Sequence, residues 1–346
     1  METELTFGIC VEPKDAEKIR KYLSEKKLLR NDLKIERDSK YIYLPITEIP
    51  KELSSYRVVE RDFEKREVKP RSYKEIISIP ETLRPLLPTS YDVIGDIILI
   101  KIPKTLLRYR EEVGESLLRS NSNIKTVCLT QPITGELRTR HQVKVLAGEK
   151  RTTTVHKEFG LKFHVDVKNT YFSPRLATER RKVATLIKNG ETIVDMFAGV
   201  APFSIMIAKY SHPRIIYAVD KNEKAVEFAK QNIRANNVLD KIEVIHADAK
   251  EIHMLVSEKA DRIIMNLPFS SHLFFPYALK NAKDRCTIHY YDILKEEDIE
   301  DRIGELKETA VENGYALTNL DIRRIKSYAP REFYIGITIT AEKMPM

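Results

Sequence analysis

Thr192-Ile-Val-Asp-Met-Phe-Ala-Gly-Val-Ala-Pro202 sets the architecture of the C-terminal half of the chain. Thr192–Asp195 is a short apolar run closed by a carboxylate, the pattern of a buried parallel strand. A turn of small residues follows, and Pro202 stands where a proline suits the first turn of a helix. The same alternation continues downstream. Pro202–Lys209 reads as a helix, Ile215–Asp220 as a strand, Glu223–Asn236 as a helix and Ile242–His246 as a strand. Asp261–Met265 reads as a strand, Phe274–Asn281 as a helix and Thr287–Tyr291 as a strand. Repeated β–α units imply a parallel sheet with helices on both faces, a Rossmann-type α/β domain over residues 169–346.

Upstream the pattern differs. Residues 1–65 read as a small α+β module: a strand at Thr6–Val11, a helix over Pro13–Leu29 with Ala16, Ile19, Leu23 and Leu28 at helical spacing, and a strand at Tyr41–Ile46. Glu64–Glu75 is charged, contains Pro70 and reads as a linker. A second α+β domain is expected over residues 66–168. It opens with a helical region at Tyr73–Leu87. Asp92–Ile102 reads as one strand interrupted by Gly95, Leu106–Leu118 as a helix, and Thr126–Leu129 and Gln142–Leu146 as strands. Thr152–His156 and Lys162–Val167 read as a hairpin around Glu158-Phe159-Gly160.

The chain has 346 residues, enough for two or three domains, with 42% hydrophobic and 32% charged residues. No apolar run reaches the roughly 18 residues of a membrane span, and Met1-Glu-Thr-Glu-Leu-Thr lacks the basic, then apolar, order of a signal peptide. Cys10, Cys128 and Cys286 lie far apart, which excludes a disulfide framework and a cysteine zinc site and fits a cytoplasmic protein. The eight histidines have no metal-binding spacing, so no metal is expected. A net charge of +8 favours a polyanionic partner such as nucleic acid.

In a doubly wound sheet the ligand sits at the carboxyl ends of the strands. Polar residues occupy those ends here. The turn after the first strand offers Gly199 and Ala201, not the GxGxxG that cradles a pyrophosphate. Such a turn suits a nucleoside ligand without a pyrophosphate, and S-adenosylmethionine is one. Asp220 ends the second strand and can accept from both ribose hydroxyls, while Asp248, past the third, can accept from an adenine amino group. Taken singly, each acid is as well explained as a helix cap or a solvated loop residue; together they define a pocket. Asp195, Phe197, Gly199, Asp220, Lys221, Asp248 and Asn266 are the expected cofactor-binding residues.

The fourth strand ends in Asn266-Leu-Pro-Phe269. An Asn amide can donate to and accept from a base edge, a proline fixes the backbone, and an aromatic ring gives a base a face to stack on. An Asn-x-Pro-aromatic turn here resembles the catalytic motif of methyltransferases that act on base nitrogen.

Tyr171-Phe-Ser-Pro-Arg-Leu-Ala-Thr-Glu-Arg180, Val194–Phe203, Ile264-Met-Asn-Leu-Pro268, Ile288-His-Tyr-Tyr291 and Lys326-Ser-Tyr-Ala-Pro-Arg-Glu332 occur in this order. Over essentially its whole length the chain resembles the archaeal and eukaryotic tRNA (guanine-N1)-methyltransferases that modify guanosine 37, next to the anticodon. The resemblance implies a class I methyltransferase domain preceded by two smaller RNA-contacting domains. It also implies a monomer without an obligate protein partner, acting on the anticodon stem-loop and outer corner of tRNA. By the same resemblance Glu179 is the general base, Arg138 or Arg140 the arginine that meets O6, and Asn266 and Pro268 hold the base. Tyr171, Arg140, Arg180 and Leu267 contact substrate, with Arg180 supporting Glu179 or meeting a phosphate. On local grounds alone Glu179 is an ordinary acid in a first helical turn. The family often has glycine where this chain has Ala201; alanine is expected to be tolerated there at negative φ. Two related activities stay open: additional methylation of the tricyclic wyosine precursor, and aminocarboxypropyl transfer in wyosine biosynthesis.

Overall fold

The computed structural model describes residues 3–66, 70, 72–131 and 143–345, and the chain divides into two compact units, Met1–Glu75 and Ile76–Met346. In the first unit Thr3–Val11 runs between Ile42–Pro45 and Arg57–Glu64, antiparallel to both. Helix Pro13–Glu25 lays Ala16, Ile19 and Leu23 on Ile9, Val11, Leu44 and Ile46. The helix therefore stops short of the expected Leu29. Arg57–Glu64 forms a further strand, with two valines side by side, buried Phe63 and charges at the other positions, so alternation does not reveal it.

In the second unit the expected strand Asp92–Ile102 is instead a hairpin, Asp92–Ile94 against Ile97–Ile100. Gly95 turns the chain at φ +58°, and a Cβ there would fall 2.7 Å from the carbonyl oxygen of Val155. Only glycine meets both demands. Thr126–Leu129 and Lys144–Gly148 complete a four-stranded sheet, on which helix Arg110–Ser120 packs Val113 and Leu117. The second hairpin, Thr153–Glu158 against Leu161–Asp166, turns through Phe159 and Gly160, both at positive φ.

The large sheet holds seven strands: β1 (Thr192–Asp195), β2 (Ile215–Asp220), β3 (Ile242–His246), β4 (Ala260–Met265), β5 (Ala282–Lys295), β6 (Tyr315–Ala329) and β7 (Glu332–Lys343). Their order is β3-β2-β1-β4-β5-β7-β6. The first five strands are mutually parallel, and β7 runs antiparallel to both of its neighbours. Helices α1 (Ala177–Thr185), α2 (Pro202–Tyr210), α3 (Glu223–Ala235), α4 (Phe275–Asn281) and α5 (Ile299–Glu312) accompany it. Thr287–Tyr291 proves to be the centre of the much longer β5, and the β6–β7 hairpin and α5 lie beyond what the sequence pattern reveals.

One apolar cluster runs from Ile94, Ile97 and Leu99 through Phe163 and Val165 to Ile205 of α2 and Ile216 of β2. Asn232 of α3 and Asn236, its C-cap, fasten the hairpin to the sheet. Asn232 accepts from the His164 N–H (2.6 Å) and donates to its carbonyl (3.1 Å); Asn236 does the same for Lys162 (3.0 and 2.7 Å). Four residues of helix advance about 6 Å and two strand residues about 6.7 Å. Side chains four apart on a helix thus match backbone groups two apart on a strand edge.

Candidate active site

At the carboxyl end of β1, Asp195 is 1% exposed. Burial pushes its carboxyl up to about 7, against the pull of the Ser204 hydroxyl 2.7 Å from Oδ2, and nearby Asp220 adds to the rise. Its Oδ1 is buried without a hydrogen bond. Asp220 ends β2 half-buried and accepts from the Gly199 N–H (2.6 Å) and the Asn222 N–H (2.8 Å). Burial raises this carboxyl, and the two N–H groups oppose the rise. Asp248 caps the turn after β3 through the Lys250 N–H (3.0 Å) and meets Lys221 Nζ at 3.1 Å. Its burial would raise the carboxyl, but Lys250 N–H and Lys221 together hold it below the usual range. Phe197 meets Phe274 edge-on, with centroids 5.1 Å apart.

Gly199 takes φ +56°, with room for a Cβ, so the turn requires its conformation rather than its size. Ala201 overturns the expectation of negative φ: it lies at φ 64°, ψ 37°, fully buried at the N-cap of α2. The following Pro202 disfavours right-handed helical backbone for its predecessor. The left-handed conformation that satisfies the turn costs an alanine about 1–2 kcal/mol.

These groups fit S-adenosylmethionine. After its two backbone bonds, each Asp220 oxygen keeps a lone pair, enough for a ribose diol. The orphaned Oδ1 of Asp195 is an acceptor that a cationic amino group would satisfy.

The Asn266-Leu-Pro-Phe turn follows β4. Its far side rests on Asp292, a fully buried residue of β5 whose Oδ1 accepts from the Phe269 N–H at 2.8 Å and whose Oδ2 accepts from the Tyr290 hydroxyl at 2.7 Å. Phe269 itself is held at φ 70°. Ser271 Oγ lies 3.1 Å from the Met265 and Leu267 carbonyls, closing the turn from beneath. Asn266 Oδ1 accepts from the Tyr334 hydroxyl of β7, and Leu267 and Pro268 are half-buried beside it.

Glu179, in the first turn of α1, is 7% exposed. Its Oε1 accepts from the Tyr291 hydroxyl (2.9 Å) and from Arg323 Nη2 (2.8 Å). Oε2 has no hydrogen bond among the described residues. The Tyr291 ring lies against Gly336 on the neighbouring strand, where a Cβ would come within 3.0 Å of it. The rings of Tyr291 and Tyr334 stand 6.2 Å apart, so one aromatic step links Glu179 to Asn266. Tyr171 is half-buried, and its carbonyl faces Gly199.

Arg180 departs from its expected role. It is 1% exposed and forms a bidentate pair with Glu158 (2.8 and 2.6 Å), with two further bonds to the Ser173 carbonyl. A guanidinium so buried and so satisfied neither reaches the Glu179 carboxylate nor is free to meet a phosphate. It ties α1 to the hairpin, where breaking such a pair costs about 3–5 kcal/mol. Arg138 and Arg140 lie outside the described residues.

Sequence reasoning misses Tyr334 and Arg323. Tyr291 stands inside a quoted motif without a role. The only cue to the others is the Lys326–Glu332 motif, which marks the tip of the β6–β7 hairpin that carries both.

Strand order, acids at successive strand ends and a pyrophosphate-free turn together define a class I S-adenosylmethionine-dependent methyltransferase. Comparison with known proteins narrows this. Residues 154–318 match the model of the TRM5/TYW2 methyltransferase domain, 73–152 that of the TYW2 N-terminal domain, and 8–54 that of the tRNA methyltransferase 5 N-terminal domain. The chain is 38% identical to tRNA (guanine(37)-N(1))-methyltransferase Trm5b of Pyrococcus abyssi, over 96% of this chain and 98% of that one. It is 36% identical to a tRNA(Phe) (4-demethylwyosine(37)-C(7)) aminocarboxypropyltransferase of Methanocaldococcus jannaschii, over 73% of this chain and 98% of that one. The solved complex of aTrm5 with tRNALeu superposes with a TM-score of 0.80 at 34% identity, covering 97% of this chain and all of that one. The chain belongs to the TRM5/TYW2 methyltransferase family.

Proposed function

We propose that this protein transfers the methyl group of S-adenosylmethionine to N1 of guanosine 37 in tRNA, with Glu179 as general base. The observation that carries the reading is the Glu179 carboxylate: buried, held through Oε1 by two donors, and open at Oε2.

Guanine N1 bears a proton at neutral pH and is a poor nucleophile until that proton leaves. Oε2 of Glu179 takes it. The charge that develops spreads to O6, where a guanidinium stabilises it; Arg138 or Arg140 is assigned that part. Asn266 orients the base edge, with Tyr171, Leu267 and Pro268 packing around it. Asp195, Phe197, Gly199, Asp220, Lys221 and Asp248 hold the cofactor, which when bound supplies a methyl group carried on a sulfonium. The target base must leave its stack to enter such a pocket. The net charge of +8 suits a tRNA partner. We assign the reaction to a monomer in the cytoplasm, a placement that the three buried, unpaired cysteines suit.

Aminocarboxypropyl transfer is the second reading, since such an enzyme is among the relatives. The match of residues 8–54 to the tRNA methyltransferase 5 N-terminal domain favours N1 methylation, because that relative spans only 73% of this chain. Labelled S-adenosylmethionine, unmodified tRNA transcript and nucleoside mass spectrometry test both. N1-methylguanosine at position 37 is expected, and Glu179→Gln should slow its formation by orders of magnitude with tRNA binding retained. An aminocarboxypropyl product, or no product, overturns the reading. Substrate carrying the tricyclic wyosine precursor tests the bifunctional alternative in the same assay.

A further inference from the structure

Arg323 stands on β6, 144 residues after Glu179, in a segment that no motif covers. Its guanidinium is held on several sides. Nη2 meets Glu179 Oε1 at 2.8 Å, and Nη1 donates to Thr338 Oγ1 of β7 at 3.0 Å and pairs with Asp321 on its own strand.

Thr338 is in turn fixed by His289 of β5, whose Nδ1 lies 3.2 Å from the same Oγ1. The other ring nitrogen of His289 faces Arg262 Nη1 at 2.8 Å. A guanidinium can only donate, so Nε2 accepts and Nδ1 carries the proton. Burial, with Arg262 and Arg323 nearby, keeps this imidazole neutral, well below its usual range. Arg262 is anchored by a bidentate pair with Glu191 (2.8 and 3.0 Å). A continuous polar chain, Glu191–Arg262–His289–Thr338–Arg323–Glu179, thus crosses the sheet beneath the site.

We propose that Arg323 is a positioning residue for Glu179: with the Tyr291 hydroxyl it grips Oε1, holds the buried carboxylate in one orientation and leaves Oε2 as the oxygen that takes the proton from the base. The proposal rests on Glu179 being the general base. The physical need is plain. A carboxylate this buried is disfavoured as an anion unless a counter-charge stands beside it. The titratable and charged groups around Glu179 are Arg323 from β6, Tyr291 from β5 and Tyr334 from β7, with Arg180 on α1 itself. Arg180 is committed to Glu158, and burial pushes both tyrosines far above their usual range, so they stay neutral. Arg323 is therefore the single cation in hydrogen-bond contact with the carboxylate among the described residues.

The test is the pH dependence of single-turnover methyl transfer to an unmodified tRNA transcript by the full chain. Arg323→Gln removes the charge; the acidic limb of the profile should move to higher pH, while cofactor dissociation constants change less than twofold. Arg323→Lys keeps the charge without the planar fork; its limb should stay near the wild-type position while the plateau rate drops severalfold. Glu179→Gln should abolish the limb, and adding Arg323→Gln to it should cost less than threefold more. An unshifted limb in Arg323→Gln overturns the proposal. So does an equal shift in the lysine variant, or a double variant as impaired as the product of the singles. Near-normal turnover by Glu179→Gln instead removes the general-base reading itself. Thermal melts accompany each assay. If Arg323→Gln is unfolded, Tyr291→Phe carries the test: a smaller upward shift supports the shared grip on Oε1, and an unmoved limb in folded protein overturns it.

Discussion

The Tyr334 hydroxyl donates to Oδ1 of Asn266, joining the last strand of the sheet to the turn after β4. An amide whose oxygen is fixed has a fixed nitrogen too. A turn residue thereby presents one orientation to a planar base edge.

Tyr334→Phe removes that bond and leaves the ring. A hydrogen bond of this kind contributes about 1 kcal/mol, which corresponds to roughly a fivefold loss in the single-turnover rate. Cofactor affinity, measured by calorimetry, should be nearly unchanged. An equal loss in cofactor affinity would show that Asn266 is held for the cofactor rather than for the base.

Ala201→Gly should stabilise the protein. The left-handed backbone at φ 64° costs alanine about 1–2 kcal/mol, and glycine gives back about 0.4–1 kcal/mol through its freer unfolded chain. A net gain of about 0.5–1 kcal/mol should appear as a higher denaturant midpoint at unchanged slope. A lower midpoint would mean that the buried methyl contributes more than its backbone costs.

Asp195 makes the cofactor-free protein sensitive to pH. Its native carboxyl titrates at about 7, above the roughly 3.9 of an unfolded aspartate. Between those values the native state holds a proton that the unfolded state has lost. The group's contribution is thus full below the unfolded value and is lost as pH rises through about 7, at up to about 1.4 kcal/mol per pH unit. The substitution Asp195→Asn keeps an acceptor for Ser204 and removes the ionisation. The variant's advantage in melting temperature over wild type should grow from pH 5 to 8 and then level off. A constant difference across that range contradicts the assignment.

Asn232→Ala strips partners from the His164 N–H and carbonyl and from the Val200 carbonyl. Unpaired buried backbone groups cost about 1–3 kcal/mol each, so a loss of about 3 kcal/mol is expected. Hydrogen exchange should accelerate at His164 and its hairpin neighbours and stay slow in β1 and β2. Uniform acceleration would indicate that Asn232 supports the whole unit rather than the hairpin.

The cofactor half is legible in the sequence because its first two parallel strands are short, largely apolar runs ending in a carboxylate, Asp195 and Asp220. Gly95 reads as an interruption of one strand, since its turn is dictated by Val155, sixty residues away. Ala201 carries no cue to its φ beyond Pro202. Glu179 is placed by resemblance, and what surrounds it is not legible at all. Arg323 lies in the charge-rich run Asp321-Ile-Arg-Arg-Ile-Lys326, which looks like solvated surface in sequence, and its partner belongs to a helix at the other end of the domain. Arg180 shows the reverse error: an arginine beside a catalytic acid invites a catalytic role, yet its pairing with Glu158 is set by a hairpin turn remote in sequence.

The β6–β7 hairpin has a consequence for biosynthesis. A ribosome delivers β1 to β5 first, with the carboxylates of Asp195 and Asp220 at the ends of two of them. Arg323, Tyr334 and Gly336 emerge later, within Tyr315–Lys343. The Tyr291 hydroxyl thus precedes the hairpin in synthesis, and the last two strands add the cation that pairs with Glu179 and the hydroxyl that fixes Asn266.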